Sequence, residues 1–236
     1  MIKTSVLLSV VALCLCGQSQ EAQSTYIHSF LGAVPTNHAL TVADGILMTA
    51  QGGGENNVAY YDMDKETGAL SNPVDLEQWS GHNGMRYVKD LDVASDGTVA
   101  VSLSIEGSST VNGKYISTYN SSGTLLNTFS FSTADAVAWD RDDNLWIVGG
   151  ATGYQVDPTD GSTIKTVTGM EYSSGVDFAA NGTGYVTDQN RVRTFDPTLP
   201  NPIASLLIFD EPGIGLYASD IEVAVTASSL LPPGPA

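Results

Sequence analysis

The apolar positions of this chain fall in short runs separated by Gly, Asp, Asn, Ser and Pro. Runs such as Thr98–Ser104 (TVAVSLS) and Leu145–Val148 (LWIV) are rich in β-branched and aromatic residues and bounded by turn residues, so they predict strands. An amphipathic helix needs about ten or more residues with an apolar period near 3.6. No such stretch is found in residues 25–236, and Pro73–Trp79 is expected to make a helical turn at most.

The runs repeat. Segments starting at Asp90 (DLDVASDG), Ala136 (AVAWDRDD), Gly175 (GVDFAANG) and Ser219 (SDIEVA) align on Leu91, Val137, Val176 and Ile221, with offsets of 46, 39 and 45 residues. The first three pass through Asp96-Gly97, Asp143-Asn144 or Asn181-Gly182 into a second apolar run. Those dipeptides signal hairpins because both central residues tolerate positive φ. A second half-unit recurs as strand, polar turn opening on Asp or Asn, and strand. Its instances begin at Val58, Tyr115, Tyr154 and Arg191. The first unit begins degenerately at Leu40. About four strands in roughly 40–50 residues is the pattern of a β-propeller blade. The expected fold is therefore all-β, a propeller of four-stranded antiparallel blades. There would be about five, one lean or closed by the N-terminal run Tyr26–Leu31, with an open partial propeller as the alternative.

The ends carry different patterns. Residues 1–24 read as a secretory signal peptide: Lys3, then the apolar stretch Thr4–Cys16, then small and polar residues. Residues 25–226 form the expected propeller domain, and 227–236 a Pro-rich tail. Both cysteines, Cys14 and Cys16, lie inside the signal, so the mature chain is expected to hold no disulfide, thiolate metal site or thiol nucleophile. It also holds no expected transmembrane segment, and the location is read as secreted, periplasmic or cell-surface. Composition adds charge to this picture. The formal net charge is −17. Clustered Lys and Arg are what phosphate neutralisation requires, so nucleic acid is excluded as a partner.

Two segments, Asp135–Val148 (DAVAWDRDDNLWIV) and Gly175–Pro197 (GVDFAANGTGYVTDQNRVRTFDP), resemble the blade signature of NHL-type propellers. The resemblance extends loosely to the gluconolactonase-like group and covers about residues 38–226. For gluconolactonase-like propellers it implies an axial metal held by acidic and amide side chains, although no residue-by-residue match to that ligand set is present.

Candidate chemistry sits at three places. One aligned inner-strand position reads Asp92, Ala138, Asp177 and Glu222. Three carboxylates converging near the axis would suit Ca²⁺; the alternative is that each caps backbone N–H groups within its own blade. The connection Glu77–Arg86 carries Trp79, His82, Asn83 and Arg86, a set of ligand-binding candidates whose alternative is a surface connector with Trp79 tucked beneath it. The glycine-rich Gln51–Asn57 lacks the Gly-Lys-Ser/Thr of a phosphate loop and is expected to be a hairpin loop. Asp-rich turns, including Asp140–Asn144, and the sequons at Asn120 and Asn181 are explained by turn chemistry. No Gly-x-Ser-x-Gly elbow or His-Glu-x-x-His is present.

The leading functional expectation is an exported, non-catalytic binding or scaffold module without a cofactor, for a protein, glycan or small-molecule ligand. The alternative is a calcium-dependent hydrolase or lactonase using Asp92, Asp177 and Glu222. An open ring would expose a blade face and favour a homo-oligomer.

Overall fold

A computed structural model describes residues 39–43, 46–51, 53–55, 58–64, 69–78, 85–107, 113–189 and 191–207, together with Ile221. The first sheet contains β1 (Ala39–Ala43), β2 (Ile46–Gln51), β4 (Val58–Met63) and β5 (Leu70–Leu76), while β3 (Gly53–Glu55) leaves it. The second contains β6 (Met85–Val93), β7 (Val99–Glu106), β8 (Gly113–Tyr119) and β9 (Leu125–Ser130), with the short β3 added as a fifth strand at the β6 edge. The third contains β10 (Ala136–Trp139), β11 (Leu145–Gly149), β12 (Thr152–Val156) and β13 (Thr163–Val167). The fourth contains β14 (Val176–Phe178), β15 (Gly184–Asp188), β16 (Arg191–Phe195) and β17 (Ser205–Leu207). Within each blade the strands follow one another as an antiparallel meander. The first strands neighbour one another: β6 packs against β1 and β10, and β10 against β14. The protein is an all-β propeller of four-stranded antiparallel blades, four of which lie in the described residues.

Its cores are seams between sheets. Val58, Tyr60 and Leu76 of blade 1 meet Val88, Leu91 and Val101 of blade 2. Ala100 and Ile116 of blade 2 meet Val137, Leu145 and Ile147 of blade 3. Trp146, Val148 and Val167 of blade 3 meet Val176, Val186 and Phe195 of blade 4. Successive residues of β11 thus point alternately into the seam before and the seam after the blade. A strand covered on both faces carries apolar residues at every position, which is why LWIV is an uninterrupted run. In the third seam Trp146, Phe178 and Phe195 form a ring cluster with centroids 5.3–5.7 Å apart.

The tight turns share one geometry. Ala94, Asp140 and Ala179 each donate N–H to the carbonyl four residues on and accept from the N–H three residues on. Gly97, Asp143 and Gly182 take positive φ of 85°, 56° and 86°. These are three-residue loops with one left-handed residue, so only one of the two residues in each Asp-Gly-like signal needs positive φ. Asp143 holds the slot that glycine holds elsewhere, and its carboxylate accepts from Ser95 N–H (2.8 Å) and Ser95 Oγ (2.5 Å) in the preceding blade. At the outer hairpins glycine serves contact as well as conformation. A Cβ on Gly123 would lie 2.0 Å from the Asp75 carbonyl oxygen, and one on Gly161 2.3 Å from the Phe129 ring. Each outer turn therefore presses on the outer strand of the blade before it.

Two expectations are corrected. Pro73–Leu76 belong to strand β5 rather than a helical turn; Asn72, at φ 49°, accompanies a register shift between Tyr60 and Asp62 that readmits the chain to the ladder. Part of the glycine-rich stretch is not a plain loop, because β3 pairs Gly53 with Tyr87 and Glu55 with Arg86, tying blade 1 to blade 2. The signal segment, the N-terminal closing strand, the Pro-rich tail and nearly all of the fifth inner strand lie outside the described residues. The exception is Ile221, buried in a cluster with Tyr185 beside Ala179 and Val192 of blade 4. No helix among the described residues is long and apolar enough to cross a membrane.

Candidate functional site

Strand alternation turns the inner-strand carboxylates Asp90 and Asp92 to the same side of β6. Asp90 accepts from its neighbour Leu91 N–H at 2.9 Å and, through the other oxygen, from Val137 N–H at 2.9 Å in blade 3. Asp92 repeats the pattern one step along, accepting from Val93 N–H at 2.8 Å and Trp139 N–H at 2.6 Å. It also accepts from Thr41 Oγ1 of blade 1 at 2.7 Å. One part-buried side chain therefore joins three blades. Burial pushes its pKa up from 3.8 to about 6, against the opposing pull of the Trp139, Thr41 and Val93 donors. Asp177 shares the local motif, accepting from Phe178 N–H at 2.6 Å. Ala138, at the aligned position of blade 3, is buried apolar core. Glu222 lies outside the described residues. Among the described residues no three His, Cys, Asp or Glu side chains stand close enough to hold one metal ion. Asp92 and Asp177 both accept backbone N–H groups, and Asp92 does so across blades rather than only within its own.

The second candidate set divides. Trp79, His82 and Asn83 lie outside the described residues. Arg86 is not a loop residue: it sits in β6, 1% exposed, beside Tyr119. Burial lowers its guanidinium pKa, and the adjacent Tyr119 works against that shift. Its place in the ladder, opposite Ile105 on one side and Glu55 on the other, makes it part of the interior between sheets.

Another acidic centre is structural. Asp188 is 1% exposed at the end of β15. It accepts from Glu171 and Tyr172 N–H at 2.8 and 2.7 Å and pairs with Arg193 Nε at 2.5 Å. Burial alone would raise its pKa; the Tyr172, Arg193 and Glu171 donors outweigh burial and hold it below the usual range.

A groove of about 590 Å³ lies between blades 3 and 4, at the end where β10 turns into β11. Its walls are the equivalent first turns of the two blades, Asp140–Asp142 and Asn181–Thr183, and the turn after β16. Gly182 lies close beneath Arg141: a Cβ there would be 3.3 Å from Arg141 Nε. Asp140 is not available to a ligand, since Asp142 N–H, the Asn144 amide and Trp146 Nε1 all donate to it. Asp142 and Asp196 are exposed. The Thr198 hydroxyl and N–H donate to Asp196 at 2.6 and 2.9 Å and lower its pKa, so it stays ionised well into acid. Arg141 and Asp142 are 3.8 Å apart with both side chains more than half exposed, a weak pair. Leu199 and Ile203 add exposed apolar surface at 48% and 67%.

Sequence reasoning treated both wall turns as turn chemistry only. The signal that could have joined them was the repeat itself: the turns occupy aligned positions in adjacent blades, so ring topology places them side by side.

No family model matches the chain, and no curated protein matches it significantly. Solved structures of β-propeller type do resemble it in shape. A Bacteroides caccae protein of unknown function aligns over 77% of this chain and 64% of its own, with TM-score 0.50 and 9% identity. A chain of the mitotic checkpoint complex aligns over 71% of this chain and 50% of its own, with TM-score 0.49 and 18% identity. Glutaminyl cyclase of Myxococcus xanthus aligns over 72% of this chain and 71% of its own, with TM-score 0.48 and 16% identity. This chain therefore spans less than two thirds of the first two. Likeness at such identity concerns fold alone.

Proposed function

We propose that the protein is an exported, non-catalytic binding module of NHL-like blades that engages its ligand in the groove between blades 3 and 4. The observation that carries this reading is the groove itself, a concave site built from turns, where a propeller scaffold commonly holds ligands. The hydrogen bonding of Asp90 and Asp92 supports it, since those carboxylates serve inter-blade cohesion. Backbone NMR during a screen of peptides, glycans and small molecules tests the proposal. Shift changes are expected to cluster on 140–142, 181–183 and 194–205. Changes clustered around Asp92 and Asp177, with calcium-dependent turnover of lactones or esters that Asp92→Asn abolishes, would overturn it.

A further inference from the structure

The groove's lining discriminates among ligand classes. Among the described residues its exposed charges are Asp142, Asp196 and Arg141, the last in a weak pair with Asp142 at 3.8 Å. An anion entering could face Arg141 but would also meet two carboxylates and the field of a chain carrying net charge −17, so a cation is the better match. A sugar ring would want an exposed aromatic face to stack on, but among the described residues the one aromatic in the lining, Phe195, is 4% exposed and committed to the Trp146–Phe178 cluster. What remains is a pairing of carboxylates with aliphatic surface, Leu199 and Ile203 standing beside the acidic turn. Resting on the reading of this groove as the binding site, we infer that it docks a segment of a partner protein in which lysine or arginine alternates with aliphatic residues. The cation faces Asp142 and Asp196, and the aliphatic side chain covers Leu199 and Ile203. The carboxylates supply orientation and on-rate, and the apolar contact supplies the residence time.

The probe is a fluorescein-labelled hexapeptide alternating lysine and leucine, read by anisotropy at low and physiological salt. A lysine–serine peptide of equal charge and a glutamate–leucine peptide of equal apolarity are its controls. Expected results are binding of the first, about ten-fold weaker binding of the second, and none of the third. Asp142→Asn with Asp196→Asn should weaken binding by about ten-fold. Glu106→Gln with Asp160→Asn, which removes the same charge from exposed positions outside the groove, should change it by less than about two-fold. Leu199→Ser with Ile203→Ser should bring the lysine–leucine peptide down to the lysine–serine level. Equal losses from both carboxylate pairs would mean bulk electrostatics and overturn the inference, as would equal binding of the two lysine peptides. Hydrogen exchange separates this failure from failure of the groove reading. Protection of 140–142, 181–183 and 194–205 by maltohexaose but by neither lysine peptide sinks the peptide class and leaves the groove. Protection elsewhere, or none with any probe, removes both.

Discussion

Replacing Asp92 with Asn tests the three-blade tie directly. The carboxylate takes Thr41 Oγ1 and two backbone N–H groups, and its pKa rises to about 6 because burial disfavours its charge more than three donors favour it. Between pH 4 and 6 the folded state therefore binds a proton that the unfolded chain, titrating near 3.8, has released. Stability from this group is fully present below pH 4 and is lost as pH rises through 6. A displacement from 3.8 to about 6 corresponds to about 3 kcal/mol at 1.36 kcal/mol per pKa unit. Asn cannot titrate, and it turns an amide N–H₂ toward either Trp139 N–H or the Thr41 hydroxyl, losing an acceptor at a cost of about 1–3 kcal/mol. At pH 4 the variant should thus be the less stable protein by that amount. At pH 7 the gap should close or reverse, the whole change being about 3 kcal/mol. The assay is urea unfolding of both proteins at half-unit pH intervals from 4 to 8, with equal m-values checked first. A stability difference that stays constant across the range would refute the reasoning, because Asp92 would then carry its charge without penalty.

Five further outcomes follow from contacts elsewhere in the protein. Asp96, Asp160, Asp188 and Asp196 all have lowered pKa, so their contribution is present at neutral pH and lost as pH falls through the acid range; the wild-type curve should turn downward below about pH 4, and Asp188→Asn should flatten that turn. Gly149→Ala puts a Cβ 1.5 Å from the Thr133 carbonyl oxygen and should cost about 3 kcal/mol or more in urea unfolding. Gly150→Ala meets nothing within 4 Å, so it should cost only the left-handed penalty of about 1–2 kcal/mol at φ 63°. Phe195→Ala empties the ring cluster of the third seam and should lower stability by about 3–5 kcal/mol by the same measurement. Calcium added to the wild-type protein should leave the thermal midpoint unchanged; a rise that disappears in Asp92→Asn would reinstate the axial cation site.

Much of the architecture is legible in the repeat. Leu91, Val137 and Val176, aligned from the repeat alone, are all buried on first strands, and the runs after them are the second strands. Repetition made this readable, because each blade restates the same alternation and turn. What sequence left unread depends on neighbours distant along the chain. The side of β6 that carries Asp92 follows from strand period, but its partners Thr41 and Trp139 lie 51 and 47 residues away. The sequence around Asp92 therefore favours capping over metal ligation without showing that a capped N–H group belongs to another blade. Arg86 looked like loop chemistry because Gly81–Gly84 precede it, whereas the ladder of β6 begins at Met85. Pro73 suggested a helical turn, but an outermost strand is where proline also fits, since its missing N–H is not needed on the free edge.

The interleaving of β11 side chains into two separate cores has a consequence for how the molecule comes apart. A blade owns no interior: removing one sheet bares a hydrophobic wall on each neighbour. The smallest cooperative piece is therefore a pair of sheets with the layer they share, and cutting sites are not equivalent. A nick in an exposed connection between sheets leaves every layer intact and should yield fragments that stay associated. Excising a whole interior sheet opens two layers at once, and the fragments left behind should aggregate unless their bared walls find each other.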